Sequence, residues 1–173
     1  MTTKTQPVLL LSIQDLSRYV AAEGNFQVLV DHQENNSVLP DFLYNDRTLF
    51  VGIGTVDAYV DFSALGEGAV TVSPDGKSVE IRLPEPSLGK PSLNTKDSYV
   101  ALQERGAFNR VGDMFGSDPN QQQQLLQLTE QKIAEAAAKS ELRERAKKNT
   151  QLMLESLLRG LGFERVTITF TGP

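Results

Sequence analysis

The C-terminal third of the chain combines a long helical pattern with a strand pattern that follows it at once. The helical pattern ends at Leu161-Gly162-Phe163, and the run from Val166 to Phe170 then alternates apolar and polar residues as a strand does. Such a strand needs a sheet to join, and the first two thirds of the chain contain several strand patterns. The sequence therefore predicts an α+β fold. In it, a mostly antiparallel sheet packs against C-terminal helices, and the final strand returns to the sheet.

The C-terminal helical pattern has recognisable start and stop signals. Asp118 and Pro119 suit the N-cap and the first turn. A single helix of about 40 residues would be long for a globular domain, so we expect a break just before Ser140, which would cap a second helix. Gly160 or Gly162 is expected to end the pattern in a left-handed conformation.

The first half of the chain is read as a short helix followed by strands. The helix is predicted near Ser12–Ser17, and a hairpin over Tyr19–Val30 with its turn at Gly24-Asn25. The polar residues 31–45 are predicted to form a loop. In the next strand pattern, the apolar positions change parity across Gly54-Thr55, which predicts a bulge there.

A second hairpin and an extended segment follow in the middle of the chain. Ser73-Pro74-Asp75-Gly76 has the residue types of a tight turn between two valine-rich strands. Three prolines at positions 84, 86 and 91 predict an extended arm, because proline has no N–H to donate to a ladder. A helix is expected over Lys96–Gln103, with Gly106 ending it.

Size and composition narrow the class of protein. The chain has 173 residues, which suits a flexible N-terminus at 1–10 and a single α+β domain at 11–173. It contains no cysteine, so disulfides, thiol catalysis and cysteine-based zinc sites are excluded. The formal charge of -5 argues against binding to nucleic acid, whose phosphates attract positively charged proteins. No apolar run approaches the about 20 residues of a membrane span, so the chain as given is expected to be soluble.

For each candidate catalytic or binding motif, a structural role is favoured over a chemical one. Asp57 and Asp61 share one strand face but stand about 13 Å apart, too far for a glycosidase pair. His32 is the only histidine, and its neighbour Asp31 would point to the opposite side of a strand. The run Gly52-Ile53-Gly54 lacks the third glycine and the helix of a nucleotide-binding fingerprint. We therefore predict no catalytic, cofactor-binding or metal-binding residues and no cofactor.

Two features of the C-terminal helices allow contacts with other molecules. Basic side chains cluster over residues 143–148 but are diluted by Glu141 and Glu144, so a solvated helix face is favoured over a contact with lipid headgroups. Small residues recur over Ala134–Ala138 and allow close approach of another element. Packing within the chain is favoured there, and contact between subunits is the alternative.

Three segments of this sequence resemble the bacterial domain-of-unknown-function family 4230. The run from Gly54 to Leu65 resembles its G-x-V-x-A-G-x-D-L-S strand, with Tyr59 in place of a glycine. Val79–Pro84 is similar to its strand ending in Leu-Pro, and Leu157–Phe163 with the closing strand is similar to its C-terminal end. The final helix, Gly-Phe turn and strand are also similar to band-7 membrane scaffolds.

The resemblance implies a soluble part of a membrane-anchored envelope protein, because members commonly follow one N-terminal membrane helix. It implies an extracytoplasmic location and contact with the membrane through such an anchor. It brings no catalytic residues. We therefore expect a non-catalytic binding or scaffold domain whose partner is another protein or a second copy, and catalysis is left open. The alternative is a hydrolase or small-ligand enzyme that gathers carboxylates from separate segments, such as Asp41, Asp57, Asp61 and Asp113.

Overall fold

The observed architecture is α+β, with antiparallel-rich sheets, C-terminal helices and a final strand that joins a sheet. A computed structural model of the chain describes residues 6–34, 46–104 and 119–172. These residues fall into two units. The first holds the described parts of Met1–Glu23, Asp57–Gly89 and Ser140–Pro173, and the second those of Gly24–Val56 and Lys90–Lys139. The prediction of one domain over 11–173 stays a prediction.

Three helices and eight strands make up the described part of the chain. The helices are α1 (Gln6–Gln14), α2 (Pro119–Lys139) and α3 (Leu142–Gly160). The strands are β1 (Arg18–Glu34), β2 (Asp46–Asp61), β3 (Val70–Val72), β4 (Ser78–Pro84), β5 (Ser87–Leu88), β6 (Ser92–Leu93), β7 (Tyr99–Glu104) and β8 (Arg165–Thr171). Two single turns of 3-10 helix, Phe62–Ala64 and Glu67–Ala69, lie between β2 and β3.

The larger sheet is organised around β2. Its strand order is β1-β2-β5, and β6 and β7 also pair with β2. The three short strands are antiparallel to β2 and pair with successive stretches of it, at Arg47–Val51 for β7, Gly54-Thr55 for β6 and Ala58-Tyr59 for β5. The extended arm predicted from its prolines therefore supplies β5 and β6.

The predicted hairpin over Tyr19–Val30 is wrong, because β1 runs without a turn from Arg18 to Glu34. Gly24 is buried on the same face of β1 as the half-buried Phe26 and Val28 and the buried Val30. The alternation of the strand thus continues through the glycine instead of stopping at it. Residues 31–34 of the predicted loop belong to β1, and residues 35–45 lie outside the described residues.

The predicted bulge at Gly54-Thr55 is also wrong. The buried positions of β2 continue at even numbers from Phe50 to Val60, and Gly52 and Gly54 are among them. Glycine has no side chain to mark these two positions as apolar. The apolar pattern in the sequence therefore changes parity although the buried face of the strand does not change. The irregularity in the β2–β7 register lies earlier, between Leu49 and Phe50.

The glycines of β2 let α2 approach the strand. A Cβ on Gly52 would collide with the methyl group of Thr129. One on Gly54 would lie 2.8 Å from the carbonyl oxygen of Ser92 and 2.9 Å from Cδ1 of Ile133. In this second unit, a separate cluster of Val30, Phe50 and Leu125 forms a small core.

Two helix predictions differ from the structure. The segment Lys96–Gln103 is not a helix: Tyr99–Glu104 forms β7, which pairs with β2, so its place in the sheet overrides its local helical preference, and Gly106 lies outside the described residues. The N-terminal helix spans Gln6–Gln14 instead of Ser12–Ser17, because the side chains that pack are Leu9, Leu10 and Ile13. It begins within the segment predicted to be flexible. Ser17, with φ of 54°, separates α1 from β1.

The smaller sheet has the order β3-β4-β8. β3 and β4 form the predicted antiparallel hairpin, and its turn closes with a hydrogen bond of 2.9 Å from the Gly76 N–H to the Ser73 carbonyl. Gly76 has φ of 70°, as the sequence requires of this turn. β8 lies parallel to β4 along its whole length, from the pair Ser78–Arg165 to the pair Pro84–Thr171. The final strand thus returns to a sheet, as predicted.

α3 precedes β8 and packs with one straight row of side chains. The buried residues are spaced by four: Leu142, Ala146, Thr150, Leu154 and Leu158. The break before this helix is confirmed, and the Leu142 N–H donates to the Ser140 hydroxyl at 3.2 Å. At the other end, the N–H of Phe163 donates to the Leu158 carbonyl while Gly162 takes φ of 96°. This Schellman arrangement is the predicted left-handed end.

The main core lies in the first unit and joins α1, α3 and the smaller sheet. Its buried members include Ile13 from α1, Phe62 from the end of β2, Ile81 from β4 and Leu154 and Leu158 from α3. Within residues 6–34, 46–104 and 119–172, no helix has both the length and the apolar character required to cross a membrane.

Candidate functional site

The outer edge of β8 is the longer of the two strand edges of the smaller sheet. Among the described strands, β8 pairs with β4 alone, so one edge of its seven residues has no strand beside it. The opposite edge of the same sheet belongs to β3, which has only three residues. An edge strand presents unpaired N–H and C=O groups that can accept another strand. β8 is therefore the candidate interaction edge of the first unit.

The side chains of β8 alternate regularly between two environments. Val166, Ile168 and Phe170 are half-buried and pack against the main core, whereas Thr167 and Thr169 are exposed on the other face. The register with β4 is unbroken, so the strand has no bulge that would turn its edge away. Valine, isoleucine, threonine and phenylalanine all favour extended backbone. Hence β8 is a regular strand, and no other described strand covers its outer edge.

Polar contacts hold the start of β8 on the β4 side. Arg165 donates to the hydroxyl of Ser78 at 2.7 Å, and its guanidinium lies 3.8 Å from the carboxylate of Asp75. The hydroxyl of Ser73, followed by the N–H of Lys77, donates to that carboxylate and lowers the pKa of Asp75 below its ordinary value. These contacts direct the only charged side chain of β8 away from its outer edge.

α3 shields the apolar end of β8. The ammonium of Lys147 lies 5.4 Å from the ring centroid of Phe170 and 2.9 Å from the carboxylate of Glu85. The hydrogen bond that the Lys147 ammonium donates to Glu85 is the main reason that the pKa of Lys147 is raised above its ordinary value. Within the predicted basic cluster, Lys147 is thus a packing residue, while Arg143, Arg145 and Lys148 are exposed.

β1 is the other long edge strand, but helix side chains reach parts of its backbone. In the first unit, the side-chain amide of Asn149 donates to the Ala21 carbonyl at 2.8 Å. In the second unit, the ammonium of Lys132 donates to the Leu29 carbonyl at 3.1 Å. Groups that are already hydrogen-bonded are less able to template a new strand. Among the described residues, no comparable side-chain hydrogen bond covers the outer backbone edge of β8.

The carboxylates of the alternative enzyme hypothesis have structural positions. Asp61 accepts hydrogen bonds from the N–H and the hydroxyl of Ser63 and so caps a 3-10 turn. Asp57 is half-buried on the same face of β2, four residues away. Asp41 and Asp113 lie outside the described residues. The structure therefore does not bring these four acids together within its described part.

His32 and the acidic residues of the described ranges form no metal site. His32 lies half-buried on β1. Neighbouring Asp31 accepts two hydrogen bonds from the Arg47 guanidinium, at 2.9 Å and 3.1 Å, which lower its pKa below the ordinary value. In the described ranges, no group of three or more His, Asp and Glu side chains is arranged to hold a metal ion.

The small residues of the C-terminal helices divide between packing and exposure. Ala137 is buried, as the favoured interpretation of the alanine run requires, while Ala134 and Ala138 are exposed.

Gly52 and Gly54 lie in β2 and serve helix packing, which agrees with the rejection of a phosphate loop.

Sequence reasoning identified β8 as a strand but missed its position at an edge. Alternation shows that a segment is a strand and which face it buries, but it does not show which strands flank it. The one available signal was composition: β8 contains no proline and no lysine, the residues that protect an edge strand against pairing.

Comparison with known families now adds to this geometry. The family described as "Protein of unknown function (DUF4230)" matches residues 11–168, nearly the whole chain. The chain belongs to this family. Its DUF4230 match includes α3 and most of β8 and agrees with the resemblance noted from the sequence. No curated protein and no solved structure matches this DUF4230 chain.

Proposed function

We propose that this DUF4230 domain is a non-catalytic binding or scaffold module, whose partner is another protein or a second copy of the chain. The open edge of β8 is the observation that carries the proposal. Strand addition to such an edge provides affinity through main-chain hydrogen bonds, which the outer edge of a seven-residue strand can supply without a pocket. We further propose that the domain is the soluble part of a membrane-anchored envelope protein, located outside the cytoplasm.

The composition and contacts of β8 support the binding role. Its outward side chains Thr167 and Thr169 are exposed and short, so they do not obstruct an incoming strand. Its inward side chains are fixed by the main core and by α3, so the edge is held in an extended shape before any partner arrives. A pre-organised edge loses little conformational entropy on binding.

A photo-crosslinking experiment in cells tests the binding role. The natural protein would carry Thr169→p-benzoylphenylalanine, with Arg82→p-benzoylphenylalanine as the matched control on the same face. Arg82 is exposed on β4, the central strand of the sheet, so it is displaced from the edge. We expect a discrete crosslinked species above the mass of the monomer from position 169 and much less from position 82. Monomer alone from both positions, after equal irradiation, would contradict the binding role.

A separate experiment tests the membrane anchor. The protein expressed from its native gene should sediment with membranes and resist extraction at alkaline pH, because a spanning anchor is held by its buried apolar area. It should also be degraded by protease added to cells whose outer barrier has been opened. Recovery in the soluble fraction, or protection from that protease, would rule out the proposed location while leaving the binding role intact.

A further inference from the structure

We propose that the strand that pairs with β8 is β8 of a second copy, running antiparallel about a two-fold axis through Ile168. This inference rests on the proposed binding role and names the partner. The pairing would join two three-stranded sheets into one six-stranded sheet with the order β3-β4-β8-β8-β4-β3. A two-fold contact of this kind uses the same patch on both copies, so it closes on itself and stops at a dimer.

The sequence of β8 is complementary to itself in this register. With Ile168 opposite its own copy, Thr167 lies opposite Thr169, and Val166 opposite Phe170. Each threonine therefore faces a threonine on the exposed side, and each apolar residue faces an apolar residue on the core side. Aromatic with β-branched pairs and Thr with Thr pairs are the cross-strand neighbours that stabilise antiparallel sheets. The centre at Ile168 also pairs all seven residues of the strand, more than any shifted register would.

Charge favours the antiparallel direction. Arg165 is the only charged residue of β8 and stands at its first position. Antiparallel pairing puts the two copies of Arg165 at opposite ends, about 20 Å apart at the rise of a strand. A parallel arrangement would instead bring the two guanidinium groups close together at one end. Since Arg165 is directed toward Ser78 and Asp75, it does not cross the edge in either copy.

The other edges of the described sheets offer less. β3 has three residues, and β5 and β6 have two each, too few for a stable ladder. β7 has six residues, but its register with β2 shifts at Ala101, an irregularity that β8 lacks. β1 is longer, but its carbonyls at Ala21 and Leu29 already accept hydrogen bonds from helix side chains. Proline, lysine and bulges protect natural edges against pairing, and β8 has none of these. The described edge that is least protected is thus also the one that matches itself.

A charge-swap series tests the register. Thr167 and Thr169 are both exposed, so charged substitutes there leave the core unchanged. The variant Thr167→Lys/Thr169→Lys places like charges opposite each other twice in the dimer, and so does Thr167→Glu/Thr169→Glu. The variant Thr167→Glu/Thr169→Lys places opposite charges together at the same positions. Each variant is checked for folding by circular dichroism and compared by light scattering and sedimentation with the unsubstituted chain.

We expect the purified chain to show a mass of twice 19.0 kDa at high concentration. The two like-charged variants should dissociate with a Kd raised at least about tenfold. An equimolar mixture of them should form a heterodimer, and Thr167→Glu/Thr169→Lys should dimerise as the unsubstituted chain does. Equal dimerisation of all variants would place the contact elsewhere and overturn the register.

Failure of this inference can be told apart from failure of the binding role. A purified chain that stays monomeric at all concentrations, together with a crosslinked species from position 169 in cells, would overturn self-pairing but keep a different protein as the partner. Monomer in both experiments would overturn both. In the supporting outcome, the species crosslinked in cells has the mass of two copies, and it disappears when Thr167→Lys is added to the crosslinking protein.

Discussion

The close approach of α2 to β2 predicts a specific rescue between two residues. Gly52 is buried on β2, and the methyl group of Thr129 on α2 occupies the space where its side chain would be. We therefore expect Gly52→Ala to destabilise the protein, although alanine normally favours the folded state over glycine. Thr129→Ser should restore stability to that variant, because serine lacks the obstructing methyl group and keeps the hydroxyl that donates to the Leu125 carbonyl at 2.7 Å.

The magnitude for Gly52→Ala follows from two opposing contributions. Overpacking a tight contact costs about 1–3 kcal/mol, and replacing glycine by alanine returns about 0.4–1 kcal/mol through the unfolded chain. Gly52→Ala alone should thus lower the free energy of unfolding by roughly 1–2 kcal/mol. Thr129→Ser alone should cost about 1 kcal/mol for a buried methyl group. In the double variant the new methyl fills the space of the lost one, so the cost should be smaller than that of either single variant.

Urea denaturation followed by circular dichroism measures these free energies, and the double-mutant cycle gives the coupling between the two sites. Gly160→Ala is the matched control, because a Cβ at Gly160 meets nothing within 4 Å and the residue is helical. It should stabilise the protein by up to about 1 kcal/mol. A Gly52→Ala variant as stable as the original chain, or a cycle with no coupling, would refute the packing of α2 on the glycine positions of β2.

Three further outcomes are expected. Leu154→Ala should cost about 2–5 kcal/mol in urea denaturation, whereas Leu152→Ala, two residues away but 56% exposed, should change stability by less than about 0.5 kcal/mol. Gly162→Ala should cost about 1 kcal/mol, because alanine at φ of 96° is strained; no measurable cost would exclude the left-handed helix end. In Ser73→Ala, the pKa of Asp75 measured by NMR should rise toward its ordinary value, since the hydroxyl that lowers it is removed. At a pH above the pKa of Asp75 in the unfolded chain, its lowered pKa in the folded chain stabilises the protein. This stabilisation is lost as the pH falls through the pKa of the folded chain. The variant has less of it to lose, so it should lose less stability in acid.

Elements with local signals were predictable from the sequence. The helix end at Gly162 and the turn at Gly76 each require a positive φ, and both glycines have it. The break before Ser140 and the return of β8 to a sheet were also predicted correctly. The helix end, the turn and the break depend on a few neighbouring residues, so a pattern over a short window contains the information that determines them.

Elements decided by distant contacts were not predictable in this way. Gly24 suggested a turn, and Gly52 with Gly54 suggested a bulge, yet all three are buried positions of continuous strands. For Gly52 and Gly54 the reason lies on α2, about 80 residues later in the chain. There, Thr129 and Ile133 occupy the space beside the two glycines. The same limit applies to the candidate site, because the open edge of β8 depends on the strand order and not on the strand itself.

The central claim is that the outer edge of β8 is open in the single chain and covered when a partner strand pairs with it. Hydrogen exchange of the amides from Arg165 to Thr171, followed by NMR over a range of protein concentrations, tests this most directly. Alternate amides should exchange slowly at every concentration, because they donate to β4. The others should exchange quickly in dilute samples and slowly in concentrated ones. Slow exchange of all these amides in a dilute monomer would contradict the claim, since the chain itself would then cover the edge.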